Sequence, residues 1–182
     1  MPPIPAELMT DAQQAAAHEL EAGRRGGVIG PFVPLLRSPE FLNRIQRAGE
    51  YLRYDSHIEP RLSELVILMT ARRWTQQFEW HAHSAIALSV GVGHDTVNAI
   101  ADGRRPTHLR EDESVTYDTV EELFRIGTLS DETYQRAVSQ FREAGLIDLL
   151  GIVGYYSLIA LIMNVTQTAL PAGVEPPLRS FL

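Results

Sequence analysis

The sequence predicts an all-α fold, on three observations. Polar and apolar residues recur at helical spacing through most of the chain. No stretch alternates with period two between turn signals, so no strand is expected. Serine, threonine or proline precedes these segments and glycine follows them, which is how helices start and stop. With 182 residues, 45% of them apolar, the chain is read as one helical domain over residues 1–182. It should contain about eight or nine helices.

The first helix is expected over residues 10–22, where Thr10 and Gln13 form a capping-box pair and Gly23 ends the run. A glycine-rich loop, 23–31, follows. Without a preceding strand it reads as a turn between helices rather than a phosphate-binding loop, although backbone amides approaching a ligand is the competing reading. Ser38-Pro39-Glu40 opens a helix to about Asp55, with cap, first-turn proline and acid in order. Pro60 opens the next, 61–74, and Thr75 is placed to cap a third over 76–90, ending at Gly91. A short helix, 94–101, closes at Gly103 and Pro106. Residues 111–125 and 131–144 are amphipathic, with Ser130 as cap to the latter. A nearly wholly apolar helix, 146–165, comes next, then a proline-punctuated tail, 171–182.

Composition removes several function classes. The formal charge is -7, all 16 basic residues are arginine and no basic run exceeds two, so nucleic acid is not an expected partner. Zero cysteine excludes thiolate chemistry, and zero lysine excludes side-chain Schiff bases. The first residues lack the regions of a signal peptide, so a cytoplasmic location is expected. The 146–165 helix is about as long as a membrane span of ~20 residues. Asp148, Gly151, Gly154 and Asn164 within it, and the absence of basic flanks, favour a core helix or a subunit interface instead.

Three residues stand out. Glu64 is the only charge between Arg61 and Arg72 in a helix apolar on nearly every side. A buried carboxylate must be paired, hydrogen-bonded or protonated. Arg61, one turn earlier, is its expected structural partner. On the next helix Glu79, Ala82, His83, Ile86 and Val90 share a stripe with Gln76 at its edge, and Glu79 and His83 are one turn apart. A histidine beside a carboxylate is how general acid/base pairs are built; a satisfied core pair is the structural alternative. His81 faces away from His83, so the two do not share a metal ion. Glu64, Glu79 and His83 together would be a weak carboxylate-rich site, and no metal is assigned.

The stretch Pro60-Arg-Leu-Ser-Glu-Leu-Val-Ile-Leu, then Phe78-Glu-Trp-His-Ala-His83, then Gly91-Val with Ile100 beyond, resembles the carboxymuconolactone decarboxylase and alkylhydroperoxidase D-like superfamily over residues 37–106. The redox branch of that superfamily carries Cys-x-x-Cys-x-x-x-His with a glutamate twelve residues ahead. Here those positions hold Gln76, Glu79, His83 and Glu64, so the chain resembles the cysteine-free branch. The resemblance implies an all-α homo-oligomer with pockets near subunit contacts and cofactor-free decarboxylase or related acid/base activity.

These readings converge on a cofactor-independent lyase, decarboxylase or isomerase acting on a small organic acid or lactone. His83 would move the proton, Glu79 would orient and charge it, and Glu64 would relay a second. Arg61, Gln76 and Trp80 are assigned to substrate binding. No cofactor, nucleic acid or membrane is expected to take part. A small-molecule-binding oligomer without catalysis and a metal-dependent enzyme using the same cluster are the alternatives.

Overall fold

A computed structural model describes residues 1–180. Its elements are helices throughout, with no strand among the described residues. In chain order they are α1 (Asp11–Ala22), α2 (Phe32–Leu35), α3 (Pro39–Tyr54), α4 (Pro60–Arg73), α5 (Gln77–Ser89), α6 (His94–Ala101), α7 (Glu111–Ile126) and α8 (Asp131–Thr166), after a single 3-10 turn at Ala6–Leu8. The expected all-α class stands. The 3-10 turn and α2 are additions to the expected elements. Both are one turn long and sit among prolines, so they carry no periodicity to read.

Everything is arranged around α4. From Arg61 to Arg72 every residue of this helix is buried, as an all-round apolar helix must be. It contacts α3, α5, α6, α7 and α8. Leu65, Val66, Ile67 and Leu68 are fully enclosed, each contributing roughly 1.5–3 kcal/mol of transfer free energy. A smaller apolar cluster joins α1, α2 and the start of α3 through Leu20, Phe32, Leu36 and Leu42.

Several helix ends follow the expected chemistry. Thr10 and Gln13 exchange both capping-box bonds, and the Ser130 hydroxyl accepts from the Thr133 amide. Ser38 makes no side-chain cap, leaving Pro39 to start α3. Thr75 does not cap α5. It takes a left-handed conformation, φ 46°, that ends α4, and the cap is the side chain of Gln76.

The two helices expected over 131–144 and 146–165 run together as α8, broken at Arg142 (φ 59°, ψ 173°) rather than at Gly145. That backbone region is normally reserved for glycine and costs about 1–3 kcal/mol. Gly145 is instead helical and buried, because a Cβ there would press on Phe141 at 3.0 Å. By length and composition α8 could cross a membrane, yet 56% of its most apolar window is buried against this protein. An outward stripe remains, with Ile147 and Val165 67% and 81% exposed. Beyond it the tail is pinned where Gln77 exchanges two hydrogen bonds with the Leu178 backbone. Phe181 and Leu182 of the expected tail lie outside the described residues.

Candidate active site

Glu64 sits on α4 where the apolar helix offers it no water, and its side chain points at α5. The His83 Nδ1–H donates to Glu64 Oε2 at 2.7 Å. On the other side of the ring, His83 Nε2 stands 3.3 Å from Glu79 Oε2, one turn earlier on α5. All three residues are at most 5% exposed. The three residues singled out in the sequence therefore meet in one place, but with different partners. Arg61 does not touch Glu64.

Arg61 turns toward α7, where its guanidinium donates to Glu113 at 2.7 Å, to Asp112 at 2.5 Å and to Glu59 at 3.3 Å. The reason is charge: three carboxylates gather near the N-terminus of α7, whereas Glu64 already has an imidazole. Gln76 is likewise occupied. Its Oε1 accepts from the Phe78 and Glu79 amides and its Nε2 donates to Asn164. Trp80 is packed into the main core. None of Arg61, Gln76 and Trp80 lines the cavity beside His83, so the structure does not bring the residues expected to bind substrate to it.

That cavity measures about 90 Å³ and is lined by Glu79, Ala82 and His83 from α5, Tyr155, Tyr156 and Ile159 from α8, Arg53 from α3, and Arg25, Ile29, Pro31 and Phe32 from the glycine-rich segment and the start of α2. Four of these carry chemistry that the sequence reading missed: Tyr155, Tyr156, Arg25 and Arg53. Tyr156 stacks edge-on against His83, ring centres 5.2 Å apart, and Tyr155 in turn against Tyr156. Arg25 donates to the Tyr155 hydroxyl at 3.4 Å. A double tyrosine inside an otherwise aliphatic helix, and an arginine inside a glycine loop, were the available signals.

Glycines make this approach possible. Gly26, Gly27 and Gly30 all hold positive φ in the loop carrying Arg25 and Ile29, and a Cβ at Gly30 would strike the Phe78 ring at 2.5 Å. On α3, a Cβ at Gly49 would fall 2.1 Å from Tyr155 Cζ and 2.6 Å from the Arg25 guanidinium. The loop is a turn that delivers side chains to the cavity.

The electrostatics are those of a site left unfinished. Burial pushes the Glu79 carboxyl above its ordinary value; His83, Arg53 and Arg25 oppose the rise and Glu64 adds to it. Burial also holds the Tyr156 phenol well above its usual range, so it stays protonated and able to donate. Glu79 Oε2, the Tyr156 hydroxyl and Arg25 Nε are buried with no hydrogen-bond partner among the described residues. Buried polar atoms are nearly always satisfied, so three orphans around one cavity mark a place for a ligand.

Arg72 and Arg73 line a separate cleft of about 640 Å³ with Met69, Trp74, Ile100 and Phe124. It is larger but holds no acid–base pair. Among the described residues no three His, Asp or Glu side chains are placed to hold a metal ion together; both His83 nitrogens face carboxylates.

Residues 39–124 match the model of the Carboxymuconolactone decarboxylase family. The match starts beside the expected core and runs on through most of α7. It contains Glu64, Glu79, His83 and Arg53, whereas Arg25, Tyr155 and Tyr156 fall outside it. No curated protein matches the chain.

Proposed function

On the match of residues 39–124 to the carboxymuconolactone decarboxylase family, we propose that this protein is a cofactor-independent acid/base enzyme, a decarboxylase, lyase or isomerase, acting on a small organic acid or lactone. The observation that carries the reading is the Glu64–His83–Glu79 relay opening on a cavity with unsatisfied polar atoms. The chain has no cysteine, so thiol-based peroxide reduction has no place in it.

The distances favour the opposite assignment of roles to the two glutamates. Glu64, held to Nδ1 and absent from the cavity lining, orients the ring. That leaves Nε2 as the acceptor facing Glu79. Glu79 lines the cavity and is biased by burial toward its protonated form, so it supplies the acid. A proton removed from substrate by His83 then passes to Glu79 across the 3.3 Å gap, and no outside proton carrier is needed.

The test is solvent isotope exchange. Small unsaturated and lactonic acids incubated in D₂O with the protein should acquire deuterium or lose carbon dioxide, and Glu79→Gln and His83→Gln should stop this. Turnover that survives in both variants would refute the reading. We also infer a homo-oligomer, joined through the exposed apolar stripe of Ile147, Gly154, Leu161 and Val165 on α8. Sedimentation of a folded monomer at micromolar concentration would refute that part.

A further inference from the structure

The cavity has a charge polarity that the relay does not use. Arg25 and Arg53 line it, both half-buried, and among the described residues neither guanidinium is paired with a carboxylate. Arg25 lies over the Phe32 ring and Arg53 over the Tyr54 ring, contacts that hold the two cations in place without neutralising them. The deep wall opposite is made of Glu79, His83 and Tyr156, each at most 4% exposed. The remaining arginines of this acidic chain are at the surface, in ion pairs elsewhere or along other clefts. Two cations facing one small buried acid–base site is a selective arrangement.

We propose that the ligand is a short-chain 2-oxo acid, its carboxylate held by Arg25 and Arg53, its keto oxygen on the Tyr156 hydroxyl and its C3 hydrogen beside His83. The proposal rests on the acid–base reading above and narrows it to a substrate class. Size is the first argument. A cavity of about 90 Å³ is smaller than the ~150 Å³ pocket that takes benzene, which leaves room for a ligand of only a few carbons. Charge is the second, since guanidinium groups favour a carboxylate over its amide. The third is the Tyr156 hydroxyl, held protonated and without a hydrogen-bond acceptor among the described residues. A carbonyl oxygen that gains negative charge suits it.

The same geometry decides which bond breaks. A carboxylate held by two guanidinium groups is stabilised before the reaction, which opposes its departure as carbon dioxide. The reacting bond is therefore the C3–H bond. Its proton goes to His83 Nε2 and its electron pair forms the C2–C3 double bond. The keto π pair moves to oxygen, which takes the Glu79 proton, giving the enol. His83 returns its proton to Glu79, and the relay is restored with no net change.

The experiment uses the full chain and three compounds at neutral pH: 2-oxobutanoate, 2-oxobutanamide and butanoate. Ligand-observed NMR should show 2-oxobutanoate binding at least about tenfold more tightly than either comparison compound. The amide cannot make the charge-assisted hydrogen bonds to the two guanidinium groups, and butanoate offers Tyr156 no keto oxygen. Arg25→Gln and Arg53→Gln should each weaken binding by a similar factor, and Arg53→Lys should recover part of it. Deuterium should enter C3 of 2-oxobutanoate faster than in protein-free buffer. Equal binding of acid and amide, or no binding of 2-oxobutanoate at millimolar concentration, overturns the proposal even if the arginine variants fail to fold. Selective binding without C3 exchange refutes the acid–base reading while leaving the carboxylate anchor in place.

Discussion

Two buried ionic clusters share one helix and end differently. Arg61 and Glu64 are a turn apart on α4, both about 5% exposed. Around Arg61 every partner is in place: Glu113 and Asp112 accept from its guanidinium, Glu113 accepts again from the Arg110 amide, and Asp112 from the Glu113 amide. The guanidinium leaves no buried orphan and borders neither the cavity nor the larger cleft. Around Glu64 the network stops short: among the described residues Glu79 Oε2 and the Tyr156 hydroxyl make no hydrogen bond, beside an open space. Burial of charge is common to both clusters and marks neither as functional. Incomplete satisfaction next to a cavity is what separates the site from the strut.

That contrast predicts opposite phenotypes. The largest effect should come from His83→Gln, which removes the proton acceptor and should lower turnover by about 10²–10⁴-fold while the melting temperature stays within a few degrees. Steady-state kinetics and calorimetry on the same preparation check it, and a collapse of the fold would make the two clusters equivalent. Arg61→Ala should do the reverse. Stranding Asp112 and Glu113 should cost about 3–5 kcal/mol, read as an earlier urea midpoint, with turnover per folded molecule unchanged.

Gly49→Ala should fall between the clusters. Its added methyl group meets the Tyr155 ring and Arg25, so a destabilisation of about 1–3 kcal/mol should accompany weakened ligand binding through a displaced Arg25. Chemical denaturation and NMR titration report the two effects separately.

The smallest effect is in pH. Burial raises the folded-state pKa of Glu79, so its contribution to stability is full below its ordinary value of 4.5 and is lost as pH rises through the folded value. Glu79→Gln should thus gain stability relative to wild type as pH rises above about 4.5. Asp112 has the opposite sign. Desolvation pushes its pKa up, but hydrogen bonds from Arg61 and the Glu113 amide more than offset this and leave it below 3.8. Its contribution is present above that value and lost on acidification. Relative to wild type, Glu79→Gln should therefore gain stability as pH rises above about 4.5, whereas the deficit of Asp112→Asn should shrink on acidification below about 3.8; melting curves parallel to wild type in both windows would erase the distinction.

The relay was legible because helical spacing fixes which residues share a face, and a lone glutamate in an all-round apolar helix needs a partner. Spacing along α4 points to Arg61 as that partner, whereas the tertiary fold brings Arg61 its carboxylates, Asp112 and Glu113, from 51 and 52 residues away. Tyr155, Tyr156, Arg25 and Arg53 escaped notice for the same reason: their neighbourhood is made by helix packing, not by sequence distance. Local chemistry also decided the cap of α5, where the Gln76 side chain took the place expected of Thr75 once Thr75 turned left-handed. The break in α8 at Arg142 had no signal, since arginine is ordinarily a good helix former.

The α8 helix has a consequence for when the site comes into being during folding. Glu64, Glu79 and His83 lie within twenty residues of chain, and α4 with α5 can bring them together early. The wall that dries them, Tyr155 and Tyr156, comes from a helix more than seventy residues later. Closing so long a loop is slow and entropically costly compared with forming the α4–α5 hairpin. Until α8 docks, water screens the three side chains, and both the raised pKa of Glu79 and the confinement of a ligand are missing. An α4–α5 hairpin without α8 would therefore hold the three side chains together without the burial that shifts Glu79.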